Sequence, residues 1–151
     1  MNTHFSVATH ILAYLYLQPG KAISSDALAI SVNTNPGFVR RLLSQLREAG
    51  LTISSMGING GTRLARPGAE ITLLDVYRAT GSAGQVFTPH AEPNPACPVG
   101  QNILGALRPR FEAAEQALQA HLSEVTIEAV AEDIRRSVRE ARGATPLPAS
   151  S

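Results

Sequence analysis

The chain has 151 residues and a net charge of only +1, with a single cysteine, no tryptophan and 44% apolar residues. That length suits one compact domain or a small domain with an appended arm, and its core must be built mainly from aliphatic side chains. One cysteine excludes an internal disulfide, no apolar run approaches the roughly 18–20 residues of a membrane span, and the N-terminus MNTHFSVATHILAYLYL shows neither a basic leader nor a small-residue cleavage site, so a reducing, cytoplasmic compartment is expected.

Phe5, Ala8, Ile11, Leu12 and Leu15 recur at helical spacing and predict an amphipathic first helix, ended by Pro19 and Gly20. Ser24 or Ser25 is placed to cap a second helix, DALAISV, because a serine hydroxyl accepts from the orphan amides of a helix start. SVNTN reads as a tight polar turn. Asn35 then offers a cap to a third helix, with Pro36 at the first position, where a missing N–H costs nothing. Val39, Leu42, Leu43 and Leu46 stand at i, i+3, i+4 and i+7 and predict a buried face, and Gly50 is a left-handed stop.

After Gly50 the period changes. LTISSM reads as a strand, GINGG as a turn and TRLAR as a return strand, with adjacent Gly60 and Gly61 free to take positive φ. Thr72 caps a fourth helix, LLDVYRAT, closed by Gly81. Residues 82–97 are a loop with three prolines. From Pro98 a long helix carries Leu104, Leu107, Phe111, Ala114 and Leu118 in steps of three and four, a coiled-coil-like seam. Pro109 lies within it and predicts a kink, eased by the absent side chain of Gly105 four residues earlier. Thr126 caps a last helix, IEAVAEDIRRSVREAR, before a tail, GATPLPASS, expected to be disordered. The expected division is 1–81, 82–97, 98–142 and 143–151.

Three helices followed by a hairpin, within about 65 residues, is the order of a winged helix-turn-helix, a mainly α fold with a small β-hairpin wing. In such a unit the third helix enters the major groove. Its face away from the core carries Arg40, Arg41 and Ser44, and Asn35 stands at its tip; arginine's planar fork bridges two acceptors on guanine or a phosphate. Ser25 and Pro36, at the starts of the second and third helices, complete the candidate set there, and Gly60, Gly61 and Arg63 form it in the wing. Two adjacent exposed arginines are usually only solvated, and a GINGG turn is usually only a turn. Their combination in this order favours double-stranded DNA as partner. Residues 1–80 carry seven basic against four acidic side chains and the remainder six against eight, a weak sign of the same division.

The stretches VNTNPGFVRRLLSQLREAGL, GINGGTRLARPGAEITLLDVYRAT and NPACPVG resemble the Rrf-two family of bacterial winged-helix regulators, over roughly residues 1–140. The resemblance implies a homodimer on a palindromic operator, usually as a repressor. It implies a recognition helix bearing Asn35, Arg40, Arg41 and Ser44 in the major groove, and a wing with Gly60, Gly61 and Arg63 at the minor groove. The helix after Pro98 matches the family's dimerisation helix, in agreement with its seam. Many members hold an iron–sulfur cluster through three cysteines in the segment matching residues 90–110. This chain has only Cys97, which departs from that pattern, so no cofactor is expected although a dimer would supply two thiols. His4, His10, His90 and His121 show no metal-site spacing.

Cys97 has two readings. As the N-cap before Pro98 it would sit against exposed helix amides, which favour a thiolate and hence a redox-sensing role. It would otherwise be a small buried hydrophobe. Rival readings of the whole chain are an iron–sulfur or small-ligand sensor of the same family and a winged-helix protein-interaction module without DNA binding. An enzyme using the Cys97 thiol would need a base held near the sulfur, and His90, in a proline-rich loop, has no fixed geometry; the chain is not expected to be an enzyme.

Overall fold

The computed structural model describes residues 3–84 and 86–143. In chain order these form α1 (Thr3–Tyr16), α2 (Ser25–Val32), α3 (Pro36–Glu48), β1 (Thr52–Ser55), β2 (Gly61–Leu64), a single 3-10 turn at Gly68–Glu70, α4 (Leu73–Ala79), α5 (Pro98–Glu124) and α6 (Ile127–Gly143). The mainly helical class with one small hairpin is the one expected. The strands are shorter than LTISSM and TRLAR, the 3-10 turn has no counterpart in the sequence reading, and α6 takes in Gly143, which was assigned to the tail. The rest of that tail lies outside the described residues.

Helix α1 is the centre of the fold. Ala8, Ile11 and Leu12 are fully buried, and α1 packs on α2, α3, α4, β2 and α6. The predicted inner face of α3 meets it: Val39, Leu42, Leu43 and Leu46 are all buried. Leu28, Leu51, Ile71, Val76 and Ile127 close the same aliphatic cluster.

The helix starts follow local chemistry. Ser24, not Ser25, caps α2, its hydroxyl accepting from the Ala27 amide at 3.2 Å. The α2–α3 turn passes through Asn33 at φ +60°, a left-handed conformation that asparagine tolerates better than most residues. Thr72 and Asp75 form a reciprocal capping box at the start of α4. Thr126 caps α6 by accepting from Ala129 at 3.1 Å. Helix α5 continues through Pro109 without a break in helical assignment.

The hairpin is antiparallel, with Thr52 opposite Leu64, Ile53 opposite Arg63, Ser54 opposite Thr62 and Ser55 opposite Gly61. It is pinned to the linker before α2 by two hydrogen bonds between Ile23 and Thr62, at 2.8 and 3.0 Å. A second short bridge joins the C-terminal helices to this body. Leu73 donates to the Val125 carbonyl at 2.8 Å, and Ile127 donates to that of Ile71 at 2.9 Å. Ile127 thereby enters the core, and α6 returns along α1.

The packing predicts a sharp contrast between two aliphatic residues. Leu12→Ala opens a cavity at a fully buried site and costs about 2–5 kcal/mol of unfolding free energy in urea titration, whereas Ile30→Ala, at a position 81% exposed, changes it by about 0.5 kcal/mol or less.

Candidate nucleic-acid interface

Burial of Val39, Leu42, Leu43 and Leu46 turns the other side of α3 to solvent. Asn35, Pro36, Arg40 and Arg41 are all exposed there, and Ser44 is half-buried. The Asn35 side-chain oxygen is committed to the helix: it accepts from Gly37 at 2.6 Å and from Phe38 at 3.3 Å. Pro36 follows as the first helical residue. Pro36 has no N–H and the Gly37 and Phe38 amides are already taken by Asn35, so only the partial positive charge of the helix start is left to attract a phosphate.

Arg40 reaches back to the preceding helix. Its Nε donates to Ser25 Oγ at 3.3 Å, and its terminal nitrogen pairs with Asp26 at 3.2 Å. Ser25 and Arg40, picked separately from the sequence, are thus brought together. Asp26 is a member of the cluster that the sequence reading missed, because its pairing with Arg40 depends on how α2 and α3 sit together. Both partners of this ion pair are more than half exposed, so it contributes on the order of 1 kcal/mol or less and does not hold Arg40 against a competing acceptor. Arg41 lies 6.0 Å from the centre of the Phe38 ring, whose edge meets His4 at 5.1 Å. Ser44 makes only a long 3.4 Å contact to Glu48.

In the wing, Arg63 is exposed on β2. The two glycines have a firmer reason than access to a ligand. A Cβ at Gly60 would stand 2.5 Å from the Ser55 carbonyl oxygen, and one at Gly61, where φ is +149°, would meet the Ile23 backbone at 2.7 Å. Positive φ occurs at Gly57 and Gly61 but not at Gly60, a correction to the expectation for the adjacent pair. Met56 and Ile58, at the tip, are 99% and 104% exposed, and the sequence reading passed over both. Residues 51–68 contain Arg63 and Arg66 and no acidic side chain, although Arg66 is paired with Asp75 at 3.5 Å.

The long helix and the proline-rich loop form a second region. Cys97 is the N-cap of α5 and is half-buried. The amides of Gly100 and Val99 draw its pKa below the ordinary thiol value against a smaller opposing effect of burial, although Sγ makes no formed capping hydrogen bond. Among the 27 residues of α5 only Leu122 is buried. Of the seam, Leu104, Leu107, Phe111 and Leu118 are half-buried and Ala114 is exposed. Phe111 is partly covered by its own chain, stacked on Phe87 of the loop at 5.1 Å.

One turn further along α5, Glu115 accepts from the Tyr77 hydroxyl and the Gly84 amide, each at 2.9 Å, and from Gln119 at 3.3 Å. The Gly84 amide chiefly holds the Glu115 pKa below the usual carboxylate value; burial opposes this, and Tyr77 and Gln119 add to it. Burial, with the hydrogen bond to Glu115 and its charge, pushes Tyr77 up to about 12. This node joins α4, the loop and α5. Beside it Phe87, Phe111, Arg108 and Gln116 border an open cavity of about 450 Å³.

Comparisons with known proteins agree with this architecture. The family model described as "Rrf2: Iron-dependent Transcriptional regulator" matches residues 1–133. YwnA of Bacillus subtilis, by name a candidate HTH-type transcriptional regulator, is 38% identical over 130 residues, covering 86% of this chain and 96% of that one. A crystal structure of a candidate DNA-binding protein is 35% identical with a TM-score of 0.66, over 84% of this chain and 97% of its own. The B. subtilis cysteine regulator CymR superposes with a TM-score of 0.68 over 87% of this chain and 95% of its own; at 23% identity it shows the shared fold.

The iron in the family description finds no matching donor set here. The chain supplies one thiolate, and no group of three or more His, Cys, Asp or Glu side chains among the described residues is arranged to hold a metal ion.

Two predictions follow from this geometry. Asn35→Ala removes the α3 cap and lowers stability by about 1 kcal/mol in denaturant titration, whereas Asn35→Asp keeps the cap and stability but weakens DNA binding by placing a negative charge at the tip. The folded pKa of Glu115 is depressed, so its stabilisation is present above the ordinary carboxylate value and is lost as pH falls through the folded one. Glu115→Gln therefore flattens the acid limb of the stability–pH curve.

Proposed function

The chain belongs to the Rrf2 family of winged-helix transcriptional regulators, and from that premise we propose that it acts as a homodimeric repressor on a palindromic operator. Membership and fold make it a DNA-binding regulator, not an enzyme. The observation that carries the finer reading is the division of α3: one face wholly buried in the aliphatic core, the other presenting Arg40 and Arg41 to solvent. The buried face supports a fixed orientation for the helix, which base readout requires. Arg40 exchanges a weak exposed ion pair for guanine or phosphate acceptors on docking, and Arg63 reaches the backbone from the wing.

The dimer is supported by α5. Helix α5 buries one of its 27 side chains, and beyond its contacts with α4 and the loop its aliphatic seam lies half in water, where a second copy covers it. Two subunits then present two recognition helices, and the operator repeats inversely to match them. Among the described residues no helix is long and apolar enough to cross a membrane; a regulator that binds DNA acts where the DNA is, in the cytoplasm.

A specific observation favours a thiol as the input. Cys97 stands at the N-cap position of the helix that carries the seam, and neighbouring amides lower its pKa. Hydrogen peroxide passes one oxygen atom to the thiolate, leaving a sulfenate and water, and enlarges the group at the start of α5.

Selection of bound sites from a random duplex pool tests this reading, and an inverted repeat is the expected product. Arg40→Ala and Arg41→Ala each lose about 1–3 kcal/mol on the selected site, and Arg63→Ala lowers the salt-dependence slope by about 1. Peroxide treatment lowers operator affinity of the native protein and leaves Cys97→Ser unaffected. Native affinity in all three arginine variants contradicts the docking face, and a response of Cys97→Ser equal to that of the native protein removes the thiol from the signal.

A further inference from the structure

The hairpin tip holds the two most solvent-exposed large apolar side chains among the described residues, Met56 at 99% and Ile58 at 104%. Single apolar residues on a surface are ordinary. These two flank Gly57 in a closed turn, in which Gly60 donates to the Gly57 carbonyl at 3.0 Å, so both stand on one narrow projection. Nothing in the described chain packs over them. The flanking residues Ser54, Ser55, Asn59, Gly60 and Gly61 are small, so the projection is slender at its base.

The surroundings say what kind of partner this tip meets. Residues 51–68 contain two arginines and no acid, and Arg63 stands exposed on the return strand. A protein partner of ordinary affinity needs an interface of about 1,200–2,000 Å² in total, far more than two side chains on a loop offer. A slender apolar projection with an exposed arginine, Arg63, on its return strand is instead an arrangement that fits a DNA minor groove. Methionine and isoleucine are among the side chains that enter between base pairs there, unstack them in part and bend the duplex.

We infer that Met56 and Ile58 form a wedge that enters a base-pair step of the minor groove beneath the wing and opens its stacking. The inference rests on the DNA-binding reading above and deepens it. Arg63 holds a phosphate, and the wedge reads how readily a step opens. Pyrimidine–purine steps, TA and CA/TG, unstack most easily, so the operator carries one of them under each wing at positions where no side chain reads a base edge. The anchoring of the hairpin explains how the tip transmits force. Thr62 is buried and bonded to Ile23, and neither Gly60 nor Gly61 has room for a Cβ, so the wing is held against the body while its tip projects.

The test uses the full-length protein and the operator recovered by selection, with 2-aminopurine replacing adenine at each step of the flanks in turn. With native protein, fluorescence at one step per half-site rises severalfold on binding, and gel mobility with permuted site positions reports a bend within the roughly 20–90° range of wedge-inserting proteins. Met56→Ala/Ile58→Ala abolishes the fluorescence rise and reduces the bend, with affinity falling by about 10-fold or less, since the phosphate contacts remain. Ile58→Lys adds a positive charge and leaves only Met56 of the apolar pair, and it binds with a diminished rise. Both substitutions lie at fully exposed positions, so circular dichroism and the urea midpoint stay at native values. Tight binding with no fluorescence change at any step, or an alanine variant that unstacks like the native protein, overturns the wedge and leaves the DNA-binding reading standing. Absence of any selected site overturns both.

Discussion

Burial of one side of α3 against α1 is the contact on which the rest of the structure depends. Four aliphatic residues of α3 and three fully buried residues of α1 share one cluster, and their removal from water fixes the roll of α3 about its own axis. Once that angle is set, Arg40 and Arg41 have no course but outward. The same cluster receives Leu51, at the foot of the hairpin, and Ile71 and Ile127 from the segments that follow. A low-aromatic core of this kind relies on close packing of branched chains, since large rings are scarce. The interface is rigid because its back is core, not because its own contacts are strong: the Arg40–Asp26 pair is exposed and readily exchanged.

The C-terminal helices are tied to that body at two places with different chemistry. At the α5–α6 junction, Ile127 plugs the core and two backbone bonds couple it to the start of α4. At the Glu115 node, a carboxylate gathers donors from α4, the loop and α5. The first tie is apolar and indifferent to conditions near neutrality. The second is polar and solvent-accessible. The loop between α4 and α5 ends at Cys97, stacks Phe87 on Phe111 and offers the Pro95 carbonyl to the Gln101 side chain at 2.7 Å. An event at the head of α5 is therefore mechanically close to the seam and to the last helix of the DNA-binding body. In a dimer joined through α5, such an event acts on the separation of the two α3 helices, the quantity a palindromic site measures.

Much of the fold was legible because its signals are local. The i, i+3, i+4, i+7 run in α3, the Asn35–Pro36 start, the left-handed Gly50 and the Thr72 and Thr126 caps all act within a few residues of themselves. What was not legible depends on residues distant in sequence. The choice of Ser24 over Ser25 is one case: Ser25 faces Arg40, fifteen residues on. The need for glycine at 61 is another, since the obstacle is the backbone of Ile23. Phe111 looked like a free seam residue, and its stacking on Phe87 crosses a loop with no periodicity to announce it. Met56 and Ile58 were hidden differently: one ends the expected strand and the other lies in the expected turn, and only the folded hairpin shows that both stand fully in water. Arg40, Arg41 and Arg63 could be chosen by residue type and position, and the acid beside Arg40 could not be weighed until the two helices were set against each other.

The central claim is that two α3 helices, fixed by their cores and joined through α5, dock in successive major grooves. Hydroxyl-radical footprinting of the complex measures this most directly. The account predicts two symmetric protected patches on one face of the duplex, centred about 34–36 Å or a multiple of that apart, with two chains per complex by sedimentation. A single asymmetric patch, or a complex containing one chain, would contradict it.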